Sequence, residues 1–173
     1  MIAYLFFHHL AADGDATGYE DGLRRFHAAL AGAGIPGFVS SRTYRVGDGY
    51  CDWYLVQASA VLDVLNDAAV TGERSTSHAA VARNASDFAG KLLKHVAGAD
   101  GSDAKVDVRF SKPRGMSYPD LYRLLQQWTN RPDVGLWRRM MVLGPPPEFS
   151  LLAPSEIVLP EELDPQVFRL EAV

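Results

Sequence analysis

The sequence contains one cysteine, Cys51, among its 173 residues. A single cysteine cannot form an internal disulfide and leaves no paired-cysteine metal motif, and this usage is typical of a reducing compartment. Long hydrophobic runs are also missing, because the apolar start MIAYLFF meets His8, His9 and Asp13 without a preceding basic segment. These residues predict neither a signal peptide nor a membrane span, so we expect a cytoplasmic protein with no membrane partner.

Positive charge is scarce as well. The net charge is −4 and the isoelectric point about 5.7, which does not favour nucleic-acid binding. Residues 105–139 nevertheless hold eight Lys and Arg against three Asp. Such a stretch can mark an anion site, although a solvated face is the commoner explanation.

Motifs for phosphate binding, nucleophilic catalysis or metal binding are absent or misplaced. Gly32, Gly34 and Gly37 spell G-x-G-x-x-G, but they follow a predicted helix and precede a strand, the reverse of a dinucleotide loop. His27, His78 and His95 have no neighbours at metal-ligand spacing. The sequence therefore predicts no metal.

Hydrophobic periodicity predicts the order of elements in the first half. A strand at 2–10 is followed by a helix from a capping box at Thr17 and Glu20 to Gly32, and then by a hairpin around the turn G-D-G. Two helices come next. The first spans Ala60 to Ala69, and the second has the apolar line Val81, Ala85, Phe88, Leu92 and Val96.

The same pattern then restarts. We predict a strand at 105–111, a helix from Ser117 to Trp128, a hairpin around G-P-P-P and a final strand. Tyr19 aligns with Tyr118, Arg42 with Arg139, and D-W-Y-L-V-Q-A-S with E-F-S-L-L-A-P-S. This agreement predicts a duplication with units 1–103 and 104–173 in one body. The first copy lacks a clear fourth strand unless residues 105–112 supply it.

This tandem βαββ(α)β pattern, with long helices against aromatic strands, resembles the ferredoxin-like dimeric α/β-barrel superfamily in its single-chain form. The resemblance implies an α+β fold of two ferredoxin-like units whose antiparallel sheets form an α/β barrel, with small ligands between the sheets. Members include small monooxygenases, lactone isomerases, aldoxime dehydratases, haem-dependent chlorite dismutase relatives and proteins without known activity. A further homodimer through exposed surfaces stays open.

Strand faces opposite the helices would line such a cavity. Arg42 and Arg139 form a pseudo-symmetric pair whose guanidinium groups could grip a carboxylate, phosphate or enolate. Solvated arginines on edge strands are the competing explanation. Aromatic residues on the same strands could contact a planar ligand. Together with the arginines, the candidate ligand-binding residues are Arg42, Tyr44, Tyr54, Arg109, Trp137 and Arg139.

His9 is the candidate catalytic residue. Alternation sends His8 and His9 to opposite faces, and His9 could act as a general base at the end of a central strand. The alternative is a polar boundary residue. We expect no cofactor. Haem needs a single axial histidine, but all five histidines lie in the first 95 residues, whereas duplicated haem relatives usually place the ligand in the second half.

Two functions are compatible with these observations. The first is binding of a small anionic or aromatic organic molecule between the sheets, with cofactor-free monooxygenase or isomerase activity. The second is a non-catalytic structural or interaction protein with a filled barrel. A cavity of roughly several hundred cubic ångströms with convergent polar groups favours the first, and a packed interior favours the second.

Overall fold

The computed structural model describes the backbone of residues 1–173 and every side chain except that of Glu73. The chain forms two compact units, which consist of residues 1–92 with 171–173 (unit 1) and residues 93–170 (unit 2). The sequence-based division placed the boundary after residue 103.

Unit 1 is an antiparallel sheet with three helices. Its strands are β1 (Ile2–Leu10), β2 (Phe38–Val46), β3 (Gly49–Val56), the first part of β4 (Ala85–Gly98) and the two-residue β9 (Glu171–Ala172). Its helices are α1 (Ala16–Ala31), α2 (Val61–Ala69) and α3 (Glu73–Arg83). The strand order is β4-β1-β3-β2-β9, and β3 pairs antiparallel with both β1 and β2.

Unit 2 repeats this order of strands with one long helix. It contains the last residues of β4, then β5 (Val106–Phe110), α4 (Tyr118–Thr129), β6 (Gly135–Arg139), β7 (Phe149–Ala153), a 3₁₀ turn at Glu161–Leu163 and β8 (Gln166–Arg169). The strand order is β8-β5-β7-β6-β4. The α+β fold class is confirmed, and the common order of strands agrees with a duplication, which stays a prediction.

In each unit one face of the sheet packs against the helices. In unit 1, register places Tyr4 opposite Tyr54 and His8 opposite Tyr50, and Tyr19 of α1 packs on Tyr50. In unit 2 the helix-covered face is apolar, with α4 packed on β5, β6 and β7. The fully buried members of this core include Val108, Phe110, Leu121, Leu125, Phe149 and Leu151.

Strand β4 corrects the sequence prediction. Residues 85–98 were expected to continue a helix, but they form a 14-residue strand. Phe88, Leu92 and Val96 are four residues apart, a spacing that fits one face of a strand as well as one face of a helix. The correction also supplies the fourth strand that the first copy lacked, and β5 remains the first strand of unit 2.

The two helix starts differ in how well the sequence predicted them. Ser117 caps α4 as expected, since its hydroxyl accepts from the Asp120 backbone N–H at 3.2 Å. Helix α1 is capped by Asp15 rather than Thr17, because the Asp15 carboxylate accepts from the backbone N–H groups of Thr17 and Gly18.

Among the described residues, no helix combines the length and apolar character needed to cross a bilayer.

Candidate functional site

Unit 1 contains a cavity of about 390 Å³ on the helix-covered side of its sheet. The walls come from β1, β3 and all three helices of the unit. Most of the lining is apolar or aromatic, and the lining residues are Tyr4, Phe6, Phe26, Leu30, Tyr54, Leu62, Leu65, Asn66, Ala69 and His78. This volume and composition are typical of small-molecule sites.

Aromatic rings form two sides of this cavity. Tyr4 and Tyr54 are directly opposed across β1 and β3, with ring centroids 6.1 Å apart and planes 29° apart. Phe6 continues the row along β1, at 6.4 Å from Tyr4. Phe26 of α1 packs against His78 of α3 at 5.5 Å. Flat walls of this kind suit a planar ring system better than a flexible aliphatic chain.

A buried polar cluster adjoins the cavity through Tyr54. At its centre lies Asp52 on β3, which is 3% exposed. The Tyr54 hydroxyl donates to Asp52 Oδ2 at 3.0 Å, and the Thr43 hydroxyl donates to Oδ1 at 2.5 Å. Nε2 of His8 and Nε2 of His27 each lie 3.4 Å from the same Oδ1. One carboxylate therefore holds two imidazoles and two hydroxyl groups.

Further hydrogen bonds fix both imidazoles of the cluster. Nδ1 of His8 is 2.6 Å from the Tyr19 hydroxyl. Nδ1 of His27 is 2.7 Å from the Ser41 hydroxyl, and its Nε2 is 2.9 Å from that of Thr43. The ring orientations are thus set by residues on α1 and β2 as well as by Asp52.

The charge states of Asp52 and Tyr54 follow from this environment. Burial opposes ionisation of Asp52, but hydrogen bonding and attraction from His27 and His8 outweigh it, so the pKa of this carboxyl lies well below its usual value. Burial, followed by the charge of Asp52, raises the pKa of Tyr54 well above its usual value. Tyr54 therefore stays protonated beside an anionic Asp52 and donates its proton inward, which leaves its hydroxyl oxygen able to accept a hydrogen bond.

Sequence reasoning missed the cluster although a signal was present. Tyr54 was predicted to line a cavity on the side of the sheet opposite the helices, but Tyr54 and Asp52 lie on the face that the helices cover. His27 lies four residues after Leu23 and next to Phe26, on the apolar stripe of α1, and this position indicates a side chain turned toward the sheet. A histidine on that stripe above a polar strand face predicts a buried polar contact.

The predicted site residues of unit 1 lie on two faces. Arg42 is opposite Trp53 and Tyr44 is opposite Cys51, so both point away from α1. Tyr54 lies on the other face and lines the cavity, so it is not grouped with Arg42. His9 also lies on the face opposite Tyr4 and Phe6, and its Nε2 is 3.5 Å from the exposed Asp48.

Three predicted residues of unit 2 share one face. Ser150 lies opposite both Arg109 and Trp137, and Arg139 follows two residues after Trp137. Arg109 donates to Asp107 at 2.6 Å and lies over the Phe168 ring at 4.3 Å, so a carboxylate balances its charge. Binding of one anion by Arg42 and Arg139 together stays a prediction.

The residues that line the unit 1 cavity do not fit a haem group. His78 lines the unit 1 cavity, but no Lys or Arg is among the described lining residues to meet the two propionates. His95 in unit 2 has its Nε2 at 2.9 Å from the Ala99 carbonyl and its ring 4.8 Å from that of Trp137, which leaves Nδ1 for any ligand. Among the described residues, no group of three His, Cys, Asp or Glu could hold a metal ion.

Comparison with known proteins shows the fold. No family model matches the sequence, and no curated protein matches it. The chain is similar to the "putative monooxygenase from Lactobacillus acidophilus NCFM", with a TM-score of 0.64, 8% identity and coverage of 99% of this chain and 98% of that one. It is also similar to an "anthrone oxidase-like protein", with a TM-score of 0.58, 9% identity and coverage of 99% and 91%.

A third solved structure agrees with these two. The "putative chlorite dismutase TA0507" has a TM-score of 0.53 and 12% identity, and the match covers 98% of this chain and 95% of that chain. The three therefore match this chain over nearly its whole length in fold, at identities that carry no information on site residues.

Proposed function

We propose that this protein binds a planar aromatic molecule in the unit 1 cavity and oxidises it with dioxygen without a cofactor. The observation that carries the proposal is the cavity itself, about 390 Å³ with aromatic walls and a few polar side chains. The ligand thus occupies the space between the sheet of unit 1 and its helices, not a space between sheets.

The polar lining residues have distinct roles in this proposal. Asn66 on α2 can donate to a ligand carbonyl or phenolate oxygen through its amide. Tyr54, held by Asp52 at 3.0 Å, accepts from a ligand hydroxyl group. His78 is the imidazole among the lining residues, and imidazole is the side chain best suited to accept a proton near neutral pH.

Such a site suits an aryl ketone that carries an acidic CH₂ group between its rings. His78 takes one proton, and the resulting carbanion is delocalised over the rings and the carbonyl oxygen that Asn66 contacts. The carbanion reduces dioxygen and forms a C–O bond, and protonation gives a hydroperoxide. Loss of the second C–H proton breaks the O–O bond, so the products are the diketone and one water. Substrate carbon is oxidised and dioxygen is reduced.

The names of two structural neighbours support this reaction class. One neighbour is an "anthrone oxidase-like protein" and another a "putative monooxygenase". Anthrone is a tricyclic aryl ketone with the CH₂ group described above, and it is therefore the first substrate to test. A cytoplasmic location, inferred from cysteine usage, belongs to the same proposal.

Binding is tested first with Ala69→Trp, which fills the cavity with a bulky ring. We expect anthrone and its quinone product to quench intrinsic fluorescence of the wild type, with at least a tenfold weaker affinity for the variant, about 1.4 kcal/mol. Ala79→Trp is the matched control, since Ala79 is exposed on α3. Equal affinities in all three proteins would contradict binding at this site.

Catalysis is tested separately with His78→Gln. Loss of the general base should slow dioxygen uptake by roughly 100-fold or more, while anthrone affinity changes by less than about threefold because glutamine fills a similar volume. Oxygen-electrode rates and mass spectrometry of the product provide the measurements. Unchanged turnover would exclude His78 as the base. Binding without turnover in the wild type would favour the non-catalytic function.

A further inference from the structure

A second cavity of about 480 Å³ lies in unit 2, where β6 ends beside the middle of β4 and near α4. It differs from the first cavity in its charge. Its lining contains three cationic side chains and one imidazole, and no carboxylate is among the described lining residues, which are Lys94, His95, Val96, Tyr122, Arg138, Arg139, Met140 and Met141.

Two of these cations oppose each other directly. Register pairs Lys94 of β4 with Arg138 of β6, so their side chains project from the same face. Like charges in directly opposed positions destabilise an antiparallel pair. Arg138 is partly balanced, because its Nε donates to Glu148 at 2.9 Å and its guanidinium lies 3.6 Å over the Tyr118 ring. Lys94 keeps an exposed charge beside it.

Arg139 lines the same cavity from the other face of β6, because register pairs it with Leu93 and not with Lys94. Its Nη1 donates to the Gly144 carbonyl at 2.9 Å, an acceptor without net charge. Its Nε is buried and meets no hydrogen-bond acceptor among the described residues. An anion bound between Arg139 and Lys94 would offset the charge of both side chains.

We propose that this cavity binds the oxyanion of a small organic molecule, a carboxylate or phosphate group. Arg139 and Lys94 contact the oxyanion, and Val96, Met140 and Met141 contact the apolar part of the ligand. This site is independent of the proposed oxidation, because none of its residues line the unit 1 cavity.

Affinity for simple organic anions tests the proposal. We expect hexanoate and butyl phosphate to bind the wild type in calorimetric titrations at low salt, and neutral hexanol to bind at least about tenfold more weakly. Arg139→Gln should weaken anion binding by about tenfold or more, whereas the exposed Arg114→Gln should change it less than about twofold. Equal binding of hexanol and hexanoate, or equal affinities in both variants, would overturn the proposal.

Stability without a ligand gives a second readout that does not depend on the choice of anion. Lys94→Met removes the opposed like charge, so its melting temperature should rise in anion-poor buffer relative to the exposed control Lys105→Met. Added butyl phosphate should stabilise the wild type more than Lys94→Met, because the ligand then offsets the repulsion. A lower melting temperature for Lys94→Met, or equal stabilisation of both proteins, would contradict the site.

Discussion

The buried side chain of Asp52 positions one of the polar residues proposed to bind the ligand in unit 1. Asp52 holds Tyr54 and two histidines in place, yet none of these partners is close to it in sequence except Tyr54. The sequence showed a polar strand face, and the structure shows which side of the sheet that face is on. Alternation along a strand shows which residues share a face but not which face the helices cover. Only the packing of α1 over Tyr50 and Asp52 shows that.

Replacement of Asp52 by Asn tests the role of its charge. Loss of a buried charge with two imidazole partners should lower the free energy of unfolding at pH 7 by roughly 3 kcal/mol. The pKa of Asp52 is depressed in the folded protein. Its ionisation therefore stabilises the fold above the unfolded pKa of about 4, and this contribution is lost as the pH falls below that value.

Urea unfolding of wild type and Asp52→Asn between pH 7 and pH 2.5 checks this prediction. The difference between the two should be full above about pH 5 and should shrink below about pH 4. Asp48→Asn is the control, since the Asp48 side chain is 98% exposed. A difference that is constant over this range would show that shape, not charge, makes Asp52 important.

The sequence did not show which arginines have their charge balanced by a neighbouring carboxylate. The basic stretch 105–139 is compatible with an anion site or, more commonly, with a solvated face, and most of its arginines have acidic partners in the fold. Arg109 pairs with Asp107, Arg123 with Asp120 and Arg131 with Asp133. Two of these partners are two residues away and one is three residues away, so local spacing could have indicated them.

At the scale of elements, the sequence predicted α1, α2, α4 and the hairpins, and it was wrong about α3 and β4. The helix predicted from the line Val81 to Val96 is replaced by α3 at Glu73–Arg83 and by β4 at Ala85–Gly98. The hairpin of β2 and β3 has a short turn and strong β-formers, and α4 has a clear cap. In β4, Phe88 is 56% exposed while Lys91 is 2% exposed, so the usual relation between polarity and burial is reversed. Tertiary packing overrides local preference in this strand, and no pattern of apolar residues could show it.

One correspondence between the two halves is also wrong. The proposed alignment places Trp53 over Phe149, but Phe149 belongs to the core under α4 and Trp53 lies on the face away from α1. A shift of one residue changes the face of every side chain in a strand. The order of the elements is therefore a firmer basis for comparing the units than the aligned residues.

Strand β4 packs closely against the cavity residue Tyr4 at Gly90. A Cβ atom at this position would lie 2.9 Å from the Tyr4 hydroxyl, closer than side chains tolerate. Gly90→Ala should therefore displace Tyr4, lower the free energy of unfolding by about 1 kcal/mol and weaken binding of a planar ligand. Gly32→Ala is the control, because its nearest contact is an ordinary 3.6 Å. Equal stability and anthrone affinity in both variants would show that Tyr4 is not constrained by β4.

At the scale of the whole chain, two units with the same order of strands have different interiors. Under α4 in unit 2 the sheet carries an apolar core, and the unit 2 cavity has a cationic lining. Unit 1 instead has an aromatic cavity and a buried polar cluster beneath its helices. The sequence predicted the α+β class and the repetition of elements from periodicity. It could not predict that the aromatic cavity lies in unit 1, because its volume depends on how α2 and α3 pack over β1 and β3.

Nuclear Overhauser contacts between bound anthrone and isotope-labelled leucine methyl groups locate the ligand in the protein. We expect contacts from the aromatic protons of anthrone to Leu30, Leu62 and Leu65, which line the unit 1 cavity. Contacts should be absent for Leu121 and Leu125, which are buried in the core of unit 2. Contacts confined to leucines outside the cavity, or no binding at millimolar anthrone solubilised with co-solvent, would contradict binding in this cavity.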